Sequence, residues 1–336
     1  MKNLYKMIFF ITMTFGTLFA ISSLSWFISW IGLEINLLSL IPLMKEFKNK
    51  LTSESTIKYF IVQAYSSAFL LISILIFNIS NNYSEEFNIF ASLLIGSALL
   101  LKMGAAPFHW WFPEVISGFK WEIIFIIMTW QKIAPMILLS FSMKAPIFLS
   151  IVIILSSMIS GLQGINQMCL RKILAYSSIN HVSWMISAML NSASTWFYYF
   201  IIYCIMNFNI ILIFNKYQVF YISQLSKLFS FNKKTKFFFM LNFLSLGGLP
   251  PFLGFFPKWM TINHMIKNNY YILCILLIIF TLISLYFYIR ITFSTFTMNS
   301  EESLIKIFNK ISYFHFFTNL FSLIGLIICT ITVNFL

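Results

Sequence analysis

Long apolar segments recur along the whole chain and constrain its fold more than any other feature. About eleven of them approach or exceed the ~20 residues that an α-helix needs to cross roughly 30 Å of hydrocarbon. Membrane β-strands would instead appear as alternating segments of about ten residues. The sequence therefore predicts an all-α polytopic membrane protein. The predicted spans are Leu4–Leu24, Trp26–Met44, Tyr59–Ser80, Phe90–Trp111, Ile123–Phe141, Ala145–Ile165, Ile173–Leu190, Thr195–Phe214, Phe237–Met260, Tyr270–Ile289 and Phe314–Leu336.

Composition excludes several other classes of protein. Of the 336 residues, 60% are hydrophobic and 9% are charged, whereas about 25% of the residues of an average soluble domain are charged. The basic residues behind the net charge of +13 lie in loops between apolar segments and form no basic face with interleaved aromatic residues, so nucleic acid is not an expected partner. The four cysteines are far apart and lack CxxC spacing, which argues against a metal or iron–sulfur site.

Lysine and arginine are divided unequally between the two sides of the membrane. If the spans alternate in direction, 17 of these residues lie on the N-terminal side and two, Lys144 and Lys267, lie on the opposite side. Loops rich in Lys and Arg remain in the negative compartment, so we expect the N-terminus there and the C-terminus opposite. Lys2 and Lys6 precede the first span as in a secretory signal peptide, but ten further spans favour an uncleaved helix.

One motif occurs twice at an offset of 144 residues. It reads G-x-x-P-F-x-x-x-F-P and begins at Gly104 in the fourth span and at Gly248 in the ninth. Because five spans separate the copies, the second copy crosses the membrane in the opposite direction, which indicates an inverted repeat; chance alignment of Phe- and Pro-rich stretches is the alternative. We therefore expect two five-helix halves, 1–142 and 143–295, followed by a loop and a final span in 296–336.

The prolines of this motif predict one broken helix in each half. Proline lacks a backbone donor and clashes with the carbonyl four residues earlier, so it frees backbone carbonyls. Freed carbonyls persist at membrane depth only where they line a wet or protein-packed cavity, and paired broken helices are typical of ion sites in transporters. The candidate residues at the breaks are Gly104, Pro107, Gly248, Pro250 and Pro251.

Four charged residues inside the spans are the main candidates for a proton path: Glu34, Lys102, Lys132 and Lys258. Each costs ~2.5 to 3.5 kcal/mol at a helix centre, so four together oppose insertion by roughly 10 kcal/mol. Burial disfavours a charged lysine and a nearby carboxylate favours it, so movement of Glu34 relative to Lys102 would load and unload a proton. The alternatives are a structural ion pair or, for Lys258, a side chain that reaches toward the interface.

Histidine supplies a further candidate. His181 lies in the polar stretch SSINHVS, and imidazole titrates near neutral pH, so this residue either belongs to the path or is a buried packing residue. His109, beside the first break, and Lys172, in a basic loop, are secondary candidates, while His264 and His315 lie near span ends. Paired histidines for haem and nucleotide-binding motifs are absent from the sequence, so we expect this chain to bind no metal or cofactor.

Five sequence motifs, which together cover essentially the whole chain in order, resemble a known family. They are WIGLEINLLSLIPL, LLLKMGAAPFHWWFP, MTWQKIAP, LRKILAYSSINHVSWM and SLGGLPPFLGFFPKW. They are similar to motifs of the mitochondrial chain 2 family of NADH-ubiquinone oxidoreductase, the antiporter-like subunits of respiratory complex I. The composition, rich in Phe, Ile, Asn and Lys, resembles arthropod members of that family.

This resemblance implies a core membrane-arm subunit of the proton-pumping enzyme, in the mitochondrial inner membrane, with its N-terminus in the matrix and its C-terminus in the intermembrane space. It implies that Glu34 and Lys102 form a coupled pair, that Lys132 continues a central axis and that Lys258 ends it. FMN, iron–sulfur clusters and ubiquinone would be bound by other subunits, whose electron transfer drives proton translocation or relay in this chain. The implied partners are other complex I subunits, neighbouring antiporter-like subunits among them, and the lipid bilayer with cardiolipin.

Two other functions are compatible with these residues. A stand-alone cation/proton antiporter on the same scaffold would carry out exchange as an isolated chain. A scaffolding subunit with inert charges would pump normally after Lys102→Ala.

Overall fold

The structure is a computed structural model that describes residues 2–45, 49–80, 85–142, 145–229, 233–297, 317–320 and 325. Fourteen helices are defined up to residue 297, and residues 317–320 are also helical. These observations confirm the all-α prediction. The helices are α1 (Lys2–Ser22), α2 (Trp26–Met44), α3 (Lys50–Ser80), α4 (Glu85–Met103), α5 (Trp111–Gly118), α6 (Trp121–Met128), α7 (Trp130–Phe141), α8 (Pro146–Ile165), α9 (Leu170–Asn191), α10 (Ala193–Tyr217), α11 (Ile222–Phe229), α12 (Lys233–Gly247), α13 (Phe255–Lys267) and α14 (Tyr271–Thr297).

Seven segments of the described chain are long and apolar enough to cross a membrane, and they come from α1, α2, α3, the pair α6 and α7, α8, α10 and α14. The apolar parts of α4 and α12 are shorter because each of these helices ends at a predicted break. Helix α9 is long enough, with 22 residues, but its Ser, Asn and His residues make it less apolar. The predicted eleventh span, 314–336, lies almost entirely outside the described residues. His315 also lies outside them.

The chain divides into two compact units, Met1–Val152 and Ile153–Leu336. In the first unit α1 packs along α2, α3 contacts α4 and α5, and α7 packs on α4. In the second unit α9 contacts α10, α13 and α14, and α12 packs on α10 and α14. The assignment of 1–142 and 143–295 as repeat halves stays a prediction.

Helices α1 and α2 approach each other closely because glycines lie at their contact. A Cβ on Gly16 would lie 2.9 Å from the backbone nitrogen of Asn36, and a Cβ on Gly32 would lie 2.7 Å from the backbone nitrogen of Ala20. Small residues allow close van der Waals packing between helices in a bilayer, where the hydrophobic effect contributes little to helix association. This contact fixes the position of α2, the helix that carries Glu34.

Both predicted helix breaks are present. Helices α4 and α12 end immediately before the motif glycines, Gly104 with φ 72° and Gly248 with φ 78°. Glycine adopts a positive φ readily, whereas residues with a Cβ rarely do. The peptide bonds Ala106–Pro107 and Pro250–Pro251 are both cis. The two copies of the sequence motif therefore have matching backbone conformations in the two units.

A third interruption was not predicted from the sequence. The fifth span divides at Thr129, where φ is −112° and ψ is −72°, into α6 and α7. Within α7, Pro135 cannot donate a hydrogen bond to the carbonyl of Gln131. The backbone N–H of Lys132 donates to the Thr129 carbonyl at 3.2 Å, three residues earlier. Lys132 therefore lies in the first turn of a new helix and not in the middle of a continuous one.

Candidate functional site

A cavity of about 20 Å³ lies within the first unit and is lined by two of the predicted residues, Lys102 and Lys132. A cavity needs roughly 10–15 Å³ and two to four polar partners to hold one water molecule. This cavity meets both conditions with room for about one water molecule. Its neutral polar lining residues are Asn36, Tyr59, Gln63 and Gln131.

Lys102 occupies the last turn of α4, where the first break begins. Its side chain is buried, and its backbone carbonyl accepts a hydrogen bond from Gln63 Nε2 at 3.2 Å. Trp111 Nε1 donates to the neighbouring carbonyl of Leu101 at 3.2 Å. Side chains of α3 and α5 therefore donate hydrogen bonds to two carbonyls in the last turn of α4, where regular helical hydrogen bonding ends. The break is supported by packed protein, as a broken helix at membrane depth requires.

Lys132 is 1% exposed, the most deeply buried of the candidate lysines. Its Nζ lies 5.2 Å from the centre of the Phe112 ring, close enough for a cation–π interaction. Phe112 belongs to the repeated motif and lies in the first turn of α5. The first broken helix thus contributes Lys102 directly to the cavity and an aromatic neighbour to Lys132.

Glu34 is half-buried on α2. Among the described residues, the direct ion pairs are those of Lys58 with Glu54 at 3.0 Å and with Glu114 at 3.2 Å. Glu34 and Lys102 are therefore not joined by a direct ion pair in the part of the chain that the structure describes. Their role as a coupled pair stays a prediction.

Lys258 lies at the second break, in the first turn of α13. Its buried Nζ donates to the carbonyl of Gly247, the last residue of α12, at 2.8 Å. The C-terminal end of a helix carries partial negative charge and attracts a cation. A Cβ on Gly248 would lie only 2.9 Å from this Nζ, so the glycine leaves space for the ammonium group. In each unit, therefore, a buried lysine lies at the C-terminal end of the first part of a broken helix.

His181 lies at the centre of a polar cluster in the second unit. It is 1% exposed on α9, and its Nδ1 lies 3.0 Å from Tyr199 Oη on α10. The ring of Tyr203 is 5.1 Å away, centre to centre. The preceding residue, Asn180, donates to Ser284 Oγ on α14 at 2.9 Å. Helices α10 and α14 therefore supply hydrogen-bond partners for the polar face of α9.

The structure describes both secondary candidates, His109 and Lys172, and also His264. His109 is buried in the segment between α4 and α5, where its ring centre is 4.9 Å from that of Trp110, but it does not line the cavity. Lys172 is half-buried in the first turn of α9. His264 lies in the last turn of α13.

Sequence reasoning missed the uncharged polar residues of the site because it selected candidates by charge and by the proline motif. Asn36 lies two positions after Glu34, Gln131 directly precedes Lys132, and Tyr199 is one of several tyrosines in an apolar span. Asparagine and glutamine inside apolar spans were the available signal, because a buried amide needs hydrogen-bond partners.

Comparison with known proteins defines the class. The sequence model of a family described as NADH:quinone oxidoreductase/Mrp antiporter, TM, matches residues 23–284. The chain belongs to this family. Within it, the chain is similar to proteins named NADH-ubiquinone oxidoreductase chain 2, which confirms the resemblance in its motifs. It is 47% identical to the Anopheles gambiae protein over 334 residues, 97% of each chain, and 45% identical to the Aedes aegypti protein over 337 residues, 98% of each.

Solved structures show the same fold at lower sequence identity. A chain of respiratory complex I from Thermus thermophilus has a TM-score of 0.85 at 20% identity, covering 97% of this chain and 79% of that one. A chain of an Mrp complex from Dietzia sp. has a TM-score of 0.77 at 17% identity, covering 84% of this chain and 59% of that one.

Proposed function

We propose that this chain is a membrane-arm subunit of a proton-pumping NADH:ubiquinone oxidoreductase and that it moves protons along a buried path. The residues of the path are Glu34, Lys102, Lys132, Lys258 and His181. The observation that carries the proposal is the cavity beside the first broken helix, where Lys102 and Lys132 share a space that fits one water molecule.

The first unit has the parts of a switchable proton site. A lysine at membrane depth releases or binds a proton according to the charges near it, since burial opposes and a carboxylate favours its ammonium form. Among the described residues, no direct ion pair holds Glu34 and Lys102 together. A small displacement or protonation of Glu34 therefore changes how firmly Lys102 holds its proton.

The second unit continues the path in the proposal. The Gly247 carbonyl and the end of α12 stabilise a positive charge on Lys258. In this proposal His181 exchanges a proton through its hydrogen bond with Tyr199, since both groups can donate and accept. Electron transfer from NADH to ubiquinone supplies the free energy, and FMN, iron–sulfur clusters and ubiquinone are bound by partner subunits. Neighbouring antiporter-like subunits and inner-membrane lipid, cardiolipin included, surround the chain, with its basic N-terminal side in the matrix.

Glu34→Gln tests the proposal in the assembled complex, reconstituted in vesicles. We expect proton translocation per NADH oxidised to fall clearly, because glutamine carries no charge that could favour the ammonium form of Lys102. Glu54→Gln is the matched control, since Glu54 is an exposed carboxylate on α3 paired with Lys58. Normal pumping by Glu34→Gln would contradict the proposal. Cation/proton exchange by the isolated chain would instead favour a stand-alone antiporter.

Tyr199→Phe tests the role of His181. Loss of one buried hydrogen bond to the imidazole, worth about 1 kcal/mol, is expected to slow proton translocation by about fivefold. Tyr198→Phe is the control, because Tyr198 is the adjacent tyrosine on α10 and is 41% exposed. Equal translocation rates in the two variants would remove Tyr199 from the path.

A further inference from the structure

The side-chain amides of Asn36 and Gln131 form a closed pair at the cavity of the first unit. Asn36 Nδ2 donates to Gln131 Oε1 at 3.0 Å, and Gln131 Nε2 donates to Asn36 Oδ1 at 2.9 Å. Turning over one amide alone would bring two donors or two acceptors together, so the reciprocal orientation is internally consistent. Both residues line the cavity that Lys102 and Lys132 share.

The pair joins two helices that carry proposed path residues. Asn36 lies on α2, two positions after Glu34, and Gln131 lies on α7, immediately before Lys132. Asn36 is 3% exposed, so its amide needs partners within the protein. The break at Thr129, together with Pro135, interrupts regular helical hydrogen bonding on both sides of Gln131. The amide pair therefore provides a fixed point where the backbone around Lys132 is irregular.

The reciprocal pair leaves part of each amide available. A carboxamide has two N–H donors and an oxygen with two lone pairs, and the pair uses one donor and one lone pair of each residue. One donor and one acceptor site of each amide therefore remain for another partner. Amides do not titrate in the physiological range, so they can hold a water molecule without retaining a proton. A cavity for about one water molecule, lined by two such amides and two lysines, matches this chemistry.

We propose that the Asn36–Gln131 pair positions a cavity water molecule that carries protons between Lys102 and Lys132. In this step the ammonium group of Lys102 gives one proton to the water oxygen while the water gives another of its protons to the neutral amine of Lys132. An N–H bond of Lys102 and an O–H bond of the water break, while a new O–H bond of the water and an N–H bond of Lys132 form. The water is regenerated and a single positive charge has moved. The amides take no proton and act only by positioning. This role rests on the proposed function.

A second hydrogen bond between α2 and a neighbouring helix provides a control. Trp30 Nε1 on α2 donates to the carbonyl of Ser67 on α3 at 3.0 Å, and neither residue lines the cavity. Loss of this bond weakens the attachment of α2 without changing the water site. If the amide pair only attached α2 to its neighbour, loss of the pair would affect pumping as little as loss of the Trp30 hydrogen bond.

The test measures protons translocated per NADH oxidised in assembled complex reconstituted in vesicles, with the amount of assembled complex measured on native gels. Asn36→Leu and Gln131→Met keep approximate side-chain volume but remove the amides. We expect each to lower translocation by about tenfold or more, because displacing a reacting group by ~1 Å can cost about 100-fold. The exchanged double variant Asn36→Gln/Gln131→Asn keeps the combined length of the pair and is expected to restore most of the translocation. Trp30→Phe is expected to pump normally.

Two results would overturn the positioning role: normal pumping in both single variants, or an exchanged variant that assembles normally but pumps as poorly as the single variants. If Asn36→Leu fails to assemble, Asn36→Ser serves in its place with the same expected loss, since a hydroxyl cannot form the reciprocal pair. Lys102→Ala is measured alongside these variants. Normal pumping in Lys102→Ala would refute the proposed function itself. If Lys102→Ala loses pumping while Asn36→Leu and Gln131→Met pump normally, only the role of the amides is refuted.

Discussion

Lys102→Ala is expected to reduce proton translocation by about 100-fold or more, the lower end of what a positioned acid or base contributes. Alanine cannot carry a proton, and it leaves Lys132 as the remaining lysine among the residues that line the cavity. The rate of NADH oxidation is measured in the same vesicles, so that loss of pumping is distinguished from loss of electron transfer. The amount of assembled complex is measured as well, because the substitution also removes a long buried side chain.

The control for this prediction is Lys58→Ala. Lys58 is a lysine on the neighbouring helix α3, 45% of its side chain is exposed, and it pairs with Glu54 and Glu114. Exposed ion pairs contribute about 0.2 to 1 kcal/mol to stability, so we expect nearly normal assembly and pumping. Equal pumping by Lys102→Ala and Lys58→Ala would favour the inert-charge scaffold over a proton path.

Gly254→Ala is expected to have the largest structural effect. Gly254 precedes α13, and a Cβ at this position would overlap the carbonyl oxygen of Ser245 and lie 2.9 Å from Met206 Sδ. The obstructing atom is backbone and cannot rotate away, so the segment before α13 would have to move away from α12. Such overpacking costs about 1 to 3 kcal/mol or more. We expect a clear loss of assembled complex and of its thermal stability in detergent.

Gly247→Ala provides the comparison for Gly254→Ala. Gly247 ends α12 at the same break, but the nearest atoms to an added Cβ are 3.7 Å away, an ordinary van der Waals distance. We expect assembly close to that of the unmodified protein. If the two alanine variants were equally stable, the close approach of Gly254 to the Ser245 carbonyl would be wrong.

The elements that could be predicted from the sequence are those that depend on local covalent chemistry. Proline removes a backbone donor and glycine permits a positive φ, so the breaks at Gly104 and Gly248 could be read directly from the motif. The candidate lysines could be found because charge is rare in an apolar span. The structure adds the cavity that Lys102 and Lys132 share and the Gly247 carbonyl that accepts a hydrogen bond from Lys258.

Other features depend on contacts between distant positions. The amide pair joins Asn36 to Gln131 across 95 positions, and which face of each helix meets the other cannot be read from either apolar span alone. The break at Thr129 was missed because the residue itself is not a helix breaker, and Pro135, six residues later, does not mark the position of the break. The uncharged polar residues of the site are therefore recognised by their hydrogen-bond partners, which come together only when the helices pack.

The polarity of α9 has a consequence for how the chain is synthesised. This helix is buried along most of its length, and Asn180 and His181 find partners on α14 and α10, which are made later. Polar groups enter hydrocarbon at a high cost when they lack hydrogen-bond partners. A ribosome that has just finished α9 has therefore produced a segment that lipid alone would accept poorly. The insertion machinery must therefore shield the polar groups of α9 from lipid, by itself or with another helix, until α14 has been translated.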